Sequence, residues 1–171
     1  MPNVTVCREA AANIQQVHAV NAAAFGRPDE AELVERLRAA GAVLLSLVAI
    51  EDGQVVGHIL FSPVTISSPG DSFVAAGLGP MAVLPEHQRR GIGSAMVRSG
   101  LAELRCAGHE TVVVLGHPDY YPRFGFEPAS QHGIRWERDC RDEAFMIMEL
   151  VPGALRGRNG VVRYRPEFDE V

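Results

Sequence analysis

Residues 80–94 read Pro-Met-Ala-Val-Leu-Pro-Glu-His-Gln-Arg-Arg-Gly-Ile-Gly-Ser, an apolar strand that passes through a basic, glycine-containing turn directly into a helix. The backbone N–H groups at the start of a helix have no partner within the helix and lie at the positive end of its dipole. Gly91 and Gly93 leave room for a ligand to approach these groups, and Arg89 and Arg90 add positive charge. The pattern predicts a binding site for a di-anion such as a pyrophosphate.

Two familiar kinds of phosphate-binding turn do not fit this segment. The dinucleotide-binding fingerprint requires a third glycine where Met96 stands, and an acidic residue at the end of a second strand about 20 residues later. Neither is present in the chain. The nucleotide-triphosphate loop requires a lysine, and all 16 Lys and Arg positions of this chain are arginine.

A third kind of turn fits, and it carries a resemblance to a family. Residues 88–93 (Gln-Arg-Arg-Gly-Ile-Gly) match the Gln/Arg-x-x-Gly-x-Gly/Ala loop of the GNAT superfamily of acyl-CoA N-acyltransferases. Residues 121–126 (Tyr-Pro-Arg-Phe-Gly-Phe) resemble the Tyr-x-x-x-Gly-Phe signature of the same superfamily. The resemblance covers roughly residues 1–150 and is strongest to a little-characterised bacterial branch of predicted N-acetyltransferases that share Tyr-Tyr-Pro-Arg-Phe-Gly-Phe, here residues 120–126.

Hydrophobic periodicity predicts the secondary structure around these motifs. Thr111–Leu115 is a continuous apolar, β-branched run, typical of a strand buried on both faces. With the strand Phe73–Leu84 and the helix Gly91–Ala107 before it, this run predicts one parallel strand pair. The remaining predicted elements are strands at Asn3–Arg8, Val43–Ile50, Gln54–Ile66, Ile134–Arg138, Ala144–Val151 and Val161–Tyr164, with helices at Ala10–Phe25 and from Pro28 to about Gly41. Residues 51–53 (Glu-Asp-Gly) predict a hairpin between the second and third of these strands, and residues 67–72 predict a turn.

These elements predict an α/β (α+β) fold with a mixed, mostly antiparallel sheet, which agrees with the GNAT plan. The resemblance further implies that the parallel pair is splayed and that helices cover both faces of the sheet. With 171 residues, 47% of them hydrophobic, we expect a single domain over residues 1–171, with a core at about 1–151 and an irregular tail at 152–171.

Composition excludes several classes of function. A net charge of −5 argues against a nucleic-acid-binding surface, which needs a basic face. There is no apolar run of about 18 residues and no leader pattern, so we expect no membrane association and a cytoplasmic location. The isolated cysteines Cys7, Cys106 and Cys140 predict neither a disulfide framework nor a metal site. The use of arginine alone is typical of a bacterium with a GC-rich genome.

The resemblance implies acetyl-CoA as co-substrate and assigns the residues that hold it. In GNAT relatives the pantetheine arm lies between the two splayed strands and pairs with the backbone of the first, while the amides of the loop bind the pyrophosphate. Carried over to this chain, the pantetheine site consists of Met81, Ala82 and Val83 on one side and Leu115 and Gly116 on the other. The pyrophosphate site consists of Gln88, Arg89, Arg90, Gly91, Ile92, Gly93 and Ser94.

Tyr121 stands where the superfamily often has a tyrosine that protonates the departing CoA thiolate. A phenol suits this role because it remains a proton donor up to about pH 10, although an aromatic that only packs on the sulfur end is the alternative. The carboxylate that many relatives carry on the first strand is missing, since residues 77–80 read Gly-Leu-Gly-Pro. His117 or Asp119 is then the candidate proton relay, and His58 is interpreted as a structural histidine.

The predicted function is the transfer of an acetyl group from acetyl-CoA to a primary amine of a small molecule or peptide, by direct attack. The oxyanion would be held by a strand amide near Val83. Two alternatives stay open: a non-catalytic acyl-CoA-binding regulatory module, and a transferase of a longer acyl chain. Residues 25–30 (Phe-Gly-Arg-Pro-Asp-Glu) wall the acceptor site in relatives, and their acids either attract an amine or cap a helix. A monomer and a homodimer are both open.

Overall fold

The computed structural model describes residues 3–171, so Met1 and Pro2, the first two residues of the predicted domain, lie outside the described residues. Its helices are α1 (Ile14–Phe25), α2 (Asp29–Ala39) and α3 (Ile92–Cys106). Its strands are β1 (Val4–Arg8), β2 (Leu45–Glu51), β3 (Gln54–Ser68), β4 (Asp71–Val83), β5 (Thr111–Leu115), β6 (Glu127–Pro128), β7 (Ile134–Trp136), β8 (Phe145–Glu149) and β9 (Gly160–Arg163).

The chain divides into two compact units. The first comprises the chain up to Ser62 together with Gly79–Ala102 and Pro166–Val171, and the second comprises Pro63–Leu78 and Glu103–Arg165. Three elements, β3, β4 and α3, pass from one unit into the other.

In the first unit, β1, β2 and β3 pair in antiparallel order. The predicted hairpin is confirmed, since Glu51 pairs with Gln54 across the turn at Asp52 and Gly53. A register shift between Ala49 and Ile50 places an extra residue in β3. Because of this bulge, the alternation of β3 side chains between the two faces of the sheet is reversed beyond it.

Helices cover both faces of these strands, as the resemblance implied. On one face, Val17 of α1 and Leu37 of α2 share a core cluster with Val48 and Leu60. On the other face, α3 packs so closely that a Cβ built on Gly100 would lie 2.5 Å from Cε2 of Phe61. Neighbouring residues of a strand point to opposite faces, so Leu60 and Phe61 belong to two separate layers of packing.

The second unit contains the predicted parallel pair. Ala76, Gly77 and Leu78 of β4 pair with Val112, Val113 and Val114 of β5, after which β4 continues to Val83. β5 also pairs in antiparallel order with β8, and β8 with β6. Val112, Val113 and Val114 are at most 1% exposed, which explains why this strand reads as an unbroken apolar run.

The C-terminal part of the chain is more regular than its composition predicts. β9 lies within residues 152–171 and pairs with the end of β3 in antiparallel order and with β7 in parallel order, so a second short parallel pair is present. Phe168, in a final 3-10 turn over Pro166–Glu170, packs against the core cluster of the first unit. The turn predicted at residues 67–72 is shorter in the structure, because β3 extends to Ser68 and β4 begins at Asp71.

Within residues 3–171, no helix combines the length and the apolar character needed to cross a membrane.

Candidate active site

The predicted pyrophosphate loop forms a tight turn at the start of α3. A 3-10 turn at Pro85–His87 leads into it, and both Arg89 (φ +62°) and Gly91 (φ +80°) have left-handed backbone conformations. The Ala95 N–H donates to the Gly91 carbonyl at 3.0 Å and closes the first helical turn. N–H groups in such alternating conformations, next to those of a helix start, form a concave anion-binding site.

The space beside this turn suits a phosphate group. Apart from its two chain neighbours, a Cβ built on Gly91 would meet no atom of the described residues within 4 Å, so the side of the turn at this position is open. Arg89 and Gly91 are exposed, whereas Ile92 is buried and anchors the start of the helix in the core. The residues present therefore fit the pyrophosphate of CoA, with Gly93 and Ser94 following in the first turn of α3.

Hydrogen bonds hold the turn to the strands before it. The Gln88 side-chain amide donates to the Val83 carbonyl at 3.0 Å, and the Leu84 N–H donates to the Val56 carbonyl at 2.9 Å. The Val83 carbonyl is thus already used within the protein. Ala82 is 3% exposed and belongs to the core, whereas Met81 is half-buried. Of the predicted pantetheine-binding segment, Ala82 contributes its side chain to packing and only its backbone remains for a ligand.

Arg90 is held by Glu51, a residue outside the predicted site. Its guanidinium Nη2 lies 2.6 Å from Oε1 of Glu51, and Glu51 is only 6% exposed. The hydrogen bond and charge of Arg90, with a smaller contribution from His87, outweigh the effect of burial and lower the pKa of Glu51. The sequence places Glu51 only in a predicted hairpin turn, and no signal in it connects Glu51 to a loop 39 residues away.

The predicted residues of the second unit lie at the end of β5. Leu115 is 43% exposed, and the next residue, Gly116, donates its N–H to the Ala144 carbonyl at 2.9 Å. A Cβ built on Gly116 would lie 2.4 Å from Cε2 of Tyr121. The phenol ring therefore rests directly on the backbone of Gly116, and these two predicted site residues are in contact.

Tyr121 begins a 3-10 turn and is 7% exposed. Its ring makes edge contacts with Tyr120 and Phe126, at centroid distances of 5.0 Å and 5.7 Å. Burial, with a small effect of Tyr120, raises the pKa of Tyr121 well above its ordinary value. The phenol is consequently protonated over the whole physiological pH range, as a proton donor must be.

The other polar candidates differ in their surroundings. His117 and Asp119 are exposed on the turn between β5 and Tyr121, and the His117 carbonyl accepts the Tyr120 N–H at 3.1 Å. His58 is fully buried, with Nδ1 3.0 Å from the Asn21 amide and Nε2 2.9 Å from the Ser46 hydroxyl. Burial lowers the pKa of His58 and keeps it neutral inside this network.

The acidic segment at residues 25–30 is neutralised locally. Arg27 Nε lies 3.1 Å from both carboxylate oxygens of Glu30, which is 5% exposed, and Arg27 Nη1 lies 3.6 Å from Asp29. Because Asp29 and Glu30 stand in the first turn of α2, this geometry favours the interpretation as a helix start. Within residues 3–171 there is no group of three or more metal-ligating side chains placed to hold a metal ion.

The sequence is similar to those of known acetyltransferases over most of its length. The acetyltransferase (GNAT) domain family matches residues 7–129. The uncharacterized N-acetyltransferase YhbS of Escherichia coli K12 is 38% identical over 146 residues, which are 85% of this chain and 86% of YhbS.

Two solved structures extend the similarity over the full chain. The crystal structure of E. coli YhbS in complex with CoA has a TM-score of 0.93 at 34% identity, and covers 99% of this chain and 93% of that one. A GNAT family acetyltransferase from Brucella melitensis in complex with acetyl-CoA has a TM-score of 0.81 at 38% identity, and covers 99% and 100% of the two chains. With the loop at residues 88–93 and the parallel pair of β4 and β5 in place, the chain belongs to the GNAT family of acetyltransferases.

Proposed function

We propose that this protein transfers the acetyl group of acetyl-CoA to a primary amine of a small molecule or a peptide. The observation that carries the proposal is the open, left-handed turn at Arg89 and Gly91, which presents backbone N–H groups at the start of α3. The relatives from E. coli and B. melitensis, crystallised with CoA and acetyl-CoA, support the same ligand for this chain.

The proposed binding site uses backbone groups more than side chains. The N–H groups of residues 88–94 would hold the pyrophosphate, and the backbone of residues 81–83 would pair with the pantetheine arm. Leu115 and Gly116, at the end of β5, would face the other side of that arm. The Leu115 side chain is 43% exposed, so it is accessible to a ligand.

The chemistry proposed is direct attack. The lone pair of the neutral amine forms a bond to the thioester carbonyl carbon, and the resulting oxyanion accepts a hydrogen bond from a strand N–H near Val83. When the oxyanion collapses, the C–S bond breaks and its electron pair leaves on the CoA sulfur. Tyr121 then donates its proton to this thiolate, and the extra proton of the amide nitrogen, carried by water or by His117 or Asp119, restores the phenol.

The raised pKa of Tyr121 limits how much this donor can contribute. A thiol is a stronger acid than a buried phenol, so complete proton transfer from Tyr121 to the thiolate is uphill. A hydrogen bond to the developing negative charge on sulfur has no such penalty. We therefore place the contribution of Tyr121 at the lower end of the range for general acid catalysis, about a hundredfold.

The test of the function is an amine panel. Purified protein is incubated with acetyl-CoA and each amine, and release of the free CoA thiol is followed with a thiol reagent. Acetyl transfer gives amine-dependent release and an acetylated product by mass spectrometry. A regulatory module would bind acetyl-CoA without release for any amine, and a transferase of longer chains would prefer a longer acyl-CoA to acetyl-CoA.

The identity of the ligand is tested separately by thermal unfolding. CoA and acetyl-CoA are expected to raise the melting temperature, because a ligand that binds only the folded state stabilises it. NAD and ATP are expected to leave it unchanged. An equal rise with NAD would contradict the assignment of the loop. The proposal also includes a cytoplasmic, bacterial enzyme, which fractionation of the source cells with an antibody would check.

A further inference from the structure

The two arginines of the pyrophosphate turn lie in different surroundings. Arg90 makes a two-pronged contact with Glu51, with Nη2 at 2.6 Å from Oε1 and Nη1 at 3.3 Å from Oε2. Both arginines are exposed, but the Arg90 side chain is bound to Glu51, whereas the Arg89 backbone has the left-handed conformation that shapes the turn. The side chain of Arg90 thus holds the loop to the strand β2, and Arg89 lies on the open surface of the loop.

Glu51 contacts both ends of the turn. It is the last residue of β2, its position is set by pairing with Gln54 across the hairpin, and it is 6% exposed. Its Oε2 lies 2.8 Å from Nδ1 of His87, and the same His87 atom lies 2.8 Å from Nη1 of Arg90. His87 ends the 3-10 turn that leads into the loop, and Arg90 directly precedes Gly91.

This geometry restrains the backbone of a glycine-containing turn. A turn that contains glycine samples many backbone conformations, and a ligand that binds it must select one of them. A bidentate contact between a guanidinium and a carboxylate fixes both the distance and the orientation of the two groups. Because Glu51 itself is buried at the end of a paired strand, it transfers the rigidity of the sheet to the loop.

We propose that Glu51 is a positioning residue for the cofactor, which acts through Arg90 and His87 to hold the loop amides where the CoA pyrophosphate binds. Arg90 serves the scaffold, and Arg89 is the arginine that faces the ligand. The inference rests on the proposed function, since it requires that the loop binds the pyrophosphate of CoA.

The first test is a double-mutant cycle on CoA affinity, measured by isothermal titration calorimetry. Glu51→Gln and Arg90→Gln are each expected to weaken CoA binding about tenfold, and the double variant also about tenfold, because both remove the same contact. Arg89→Gln is the matched control, with the same substitution one residue away. The loss of CoA affinity in Arg89→Gln is expected to multiply with the loss in Glu51→Gln, and to become smaller at high salt.

The second test separates positioning from a merely structural role. Pantetheine lacks the pyrophosphate, so its affinity, measured by NMR titration, is expected to be the same in wild type and Glu51→Gln. A structural role would instead lower the melting temperature of the ligand-free protein and weaken both ligands alike. If Glu51→Gln does not fold, Arg90→Gln replaces it in this test, since the Arg90 side chain is 34% exposed.

The outcomes distinguish the inference from the function on which it rests. If the wild-type protein binds no CoA, both are wrong. If the wild type binds CoA but Glu51→Gln binds it equally well, only the role of Glu51 is wrong. Effects of Glu51→Gln and Arg90→Gln that multiply to about a hundredfold in the double variant would also overturn it, because independent residues give that result.

Discussion

The buried network around Glu9 predicts a pH-dependent stability of defined size. The Glu9 carboxylate is 7% exposed and accepts hydrogen bonds from Arg38 and from the Ser46 hydroxyl. His58 Nε2 lies 2.9 Å from that hydroxyl, while its Nδ1 accepts from the Asn21 amide. Burial alone would raise the pKa of Glu9, but the hydrogen bonds of His58 and Ser46 and the charge of Arg38 lower it from 4.5 to about 2.

The size of the effect follows from the change in pKa. A pKa lowered from 4.5 to about 2 in the folded state corresponds to about 3 kcal/mol of folding free energy at neutral pH. Because the folded pKa is the lower one, this stabilisation is complete above pH 4.5 and is lost as the pH falls toward 2. At about pH 3 the same relation leaves less than half of it.

The perturbation is Glu9→Gln, which removes the charge and keeps the shape. We expect this variant to be about 3 kcal/mol less stable than wild type near pH 7, and the difference to shrink to less than half near pH 3. Urea unfolding followed by far-UV circular dichroism at several pH values measures it, with an unchanged slope on denaturant as the check that the same transition is compared.

Glu35→Gln is the matched control, because Glu35 also has a histidine partner but is exposed. Its Oε1 lies 2.8 Å from Nδ1 of His18, and the two side chains are 51% and 40% exposed. An exposed ion pair contributes little, so we expect a change within about 0.5 kcal/mol at each pH. A Glu9→Gln penalty of equal size near pH 7 and near pH 3 would refute the reasoning, since it would mean that packing and not charge is lost.

The remaining predictions concern the candidate active site. Gly91→Val is expected to abolish CoA binding in calorimetry, because the side chain would occupy the open space beside the turn and would strain a left-handed position; unchanged affinity would contradict the loop assignment. Tyr121→Phe is expected to lower kcat about a hundredfold at unchanged KM for acetyl-CoA. If kcat instead stays within about twofold of wild type while chemistry is rate-limiting, Tyr121 has only a packing role. Gly116→Ala is expected to lower kcat by a similar factor, because its Cβ would displace the Tyr121 ring, and full activity would mean that the ring position is unimportant.

The parts of the fold that sequence predicts are those with strong local signals. Thr111–Leu115 matches β5 residue for residue, since a threonine and four apolar residues between turn signals leave little choice of boundary. The hairpin at Glu51 and Gln54 and the loop that opens α3 are equally local. β6 has two residues and β7 three, too few to show a period, so their pairing depends on neighbours that are distant in the sequence.

In the candidate site, too, the residues of local motifs are predictable and the contacts between distant residues are not. Tyr121 and the residues of the loop can be predicted because they belong to short sequence motifs. The contact of Glu51 with Arg90 joins residues 39 positions apart, and Glu9, which directly follows β1, is in a network with residues of α1, α2, β2 and β3. Such contacts follow from the register of strands and the packing of helices, neither of which a single sequence displays.

The buried carboxylates of the first unit are poorly suited to act as a general base for the amine substrate. Glu9, Glu30 and Glu51, whose side chains are less than 10% exposed, are each paired with an arginine, and for Glu9 and Glu51 the pKa is lowered. A carboxylate with a lowered pKa is a weak base and a poor acceptor for the proton of an ammonium group.

If no dedicated base replaces them, the amine substrate must arrive already deprotonated. The value of kcat/KM for the amine is then expected to rise about tenfold per pH unit between pH 7 and the pKa of that amine, about 10.4 for a lysine-like side chain. A pH–rate profile with the first amine identified in the panel measures this slope, with Asp119→Asn as the variant that should leave it unchanged. A plateau that begins well below the pKa of the amine, and that Asp119→Asn removes, would instead identify a protein base and overturn the argument.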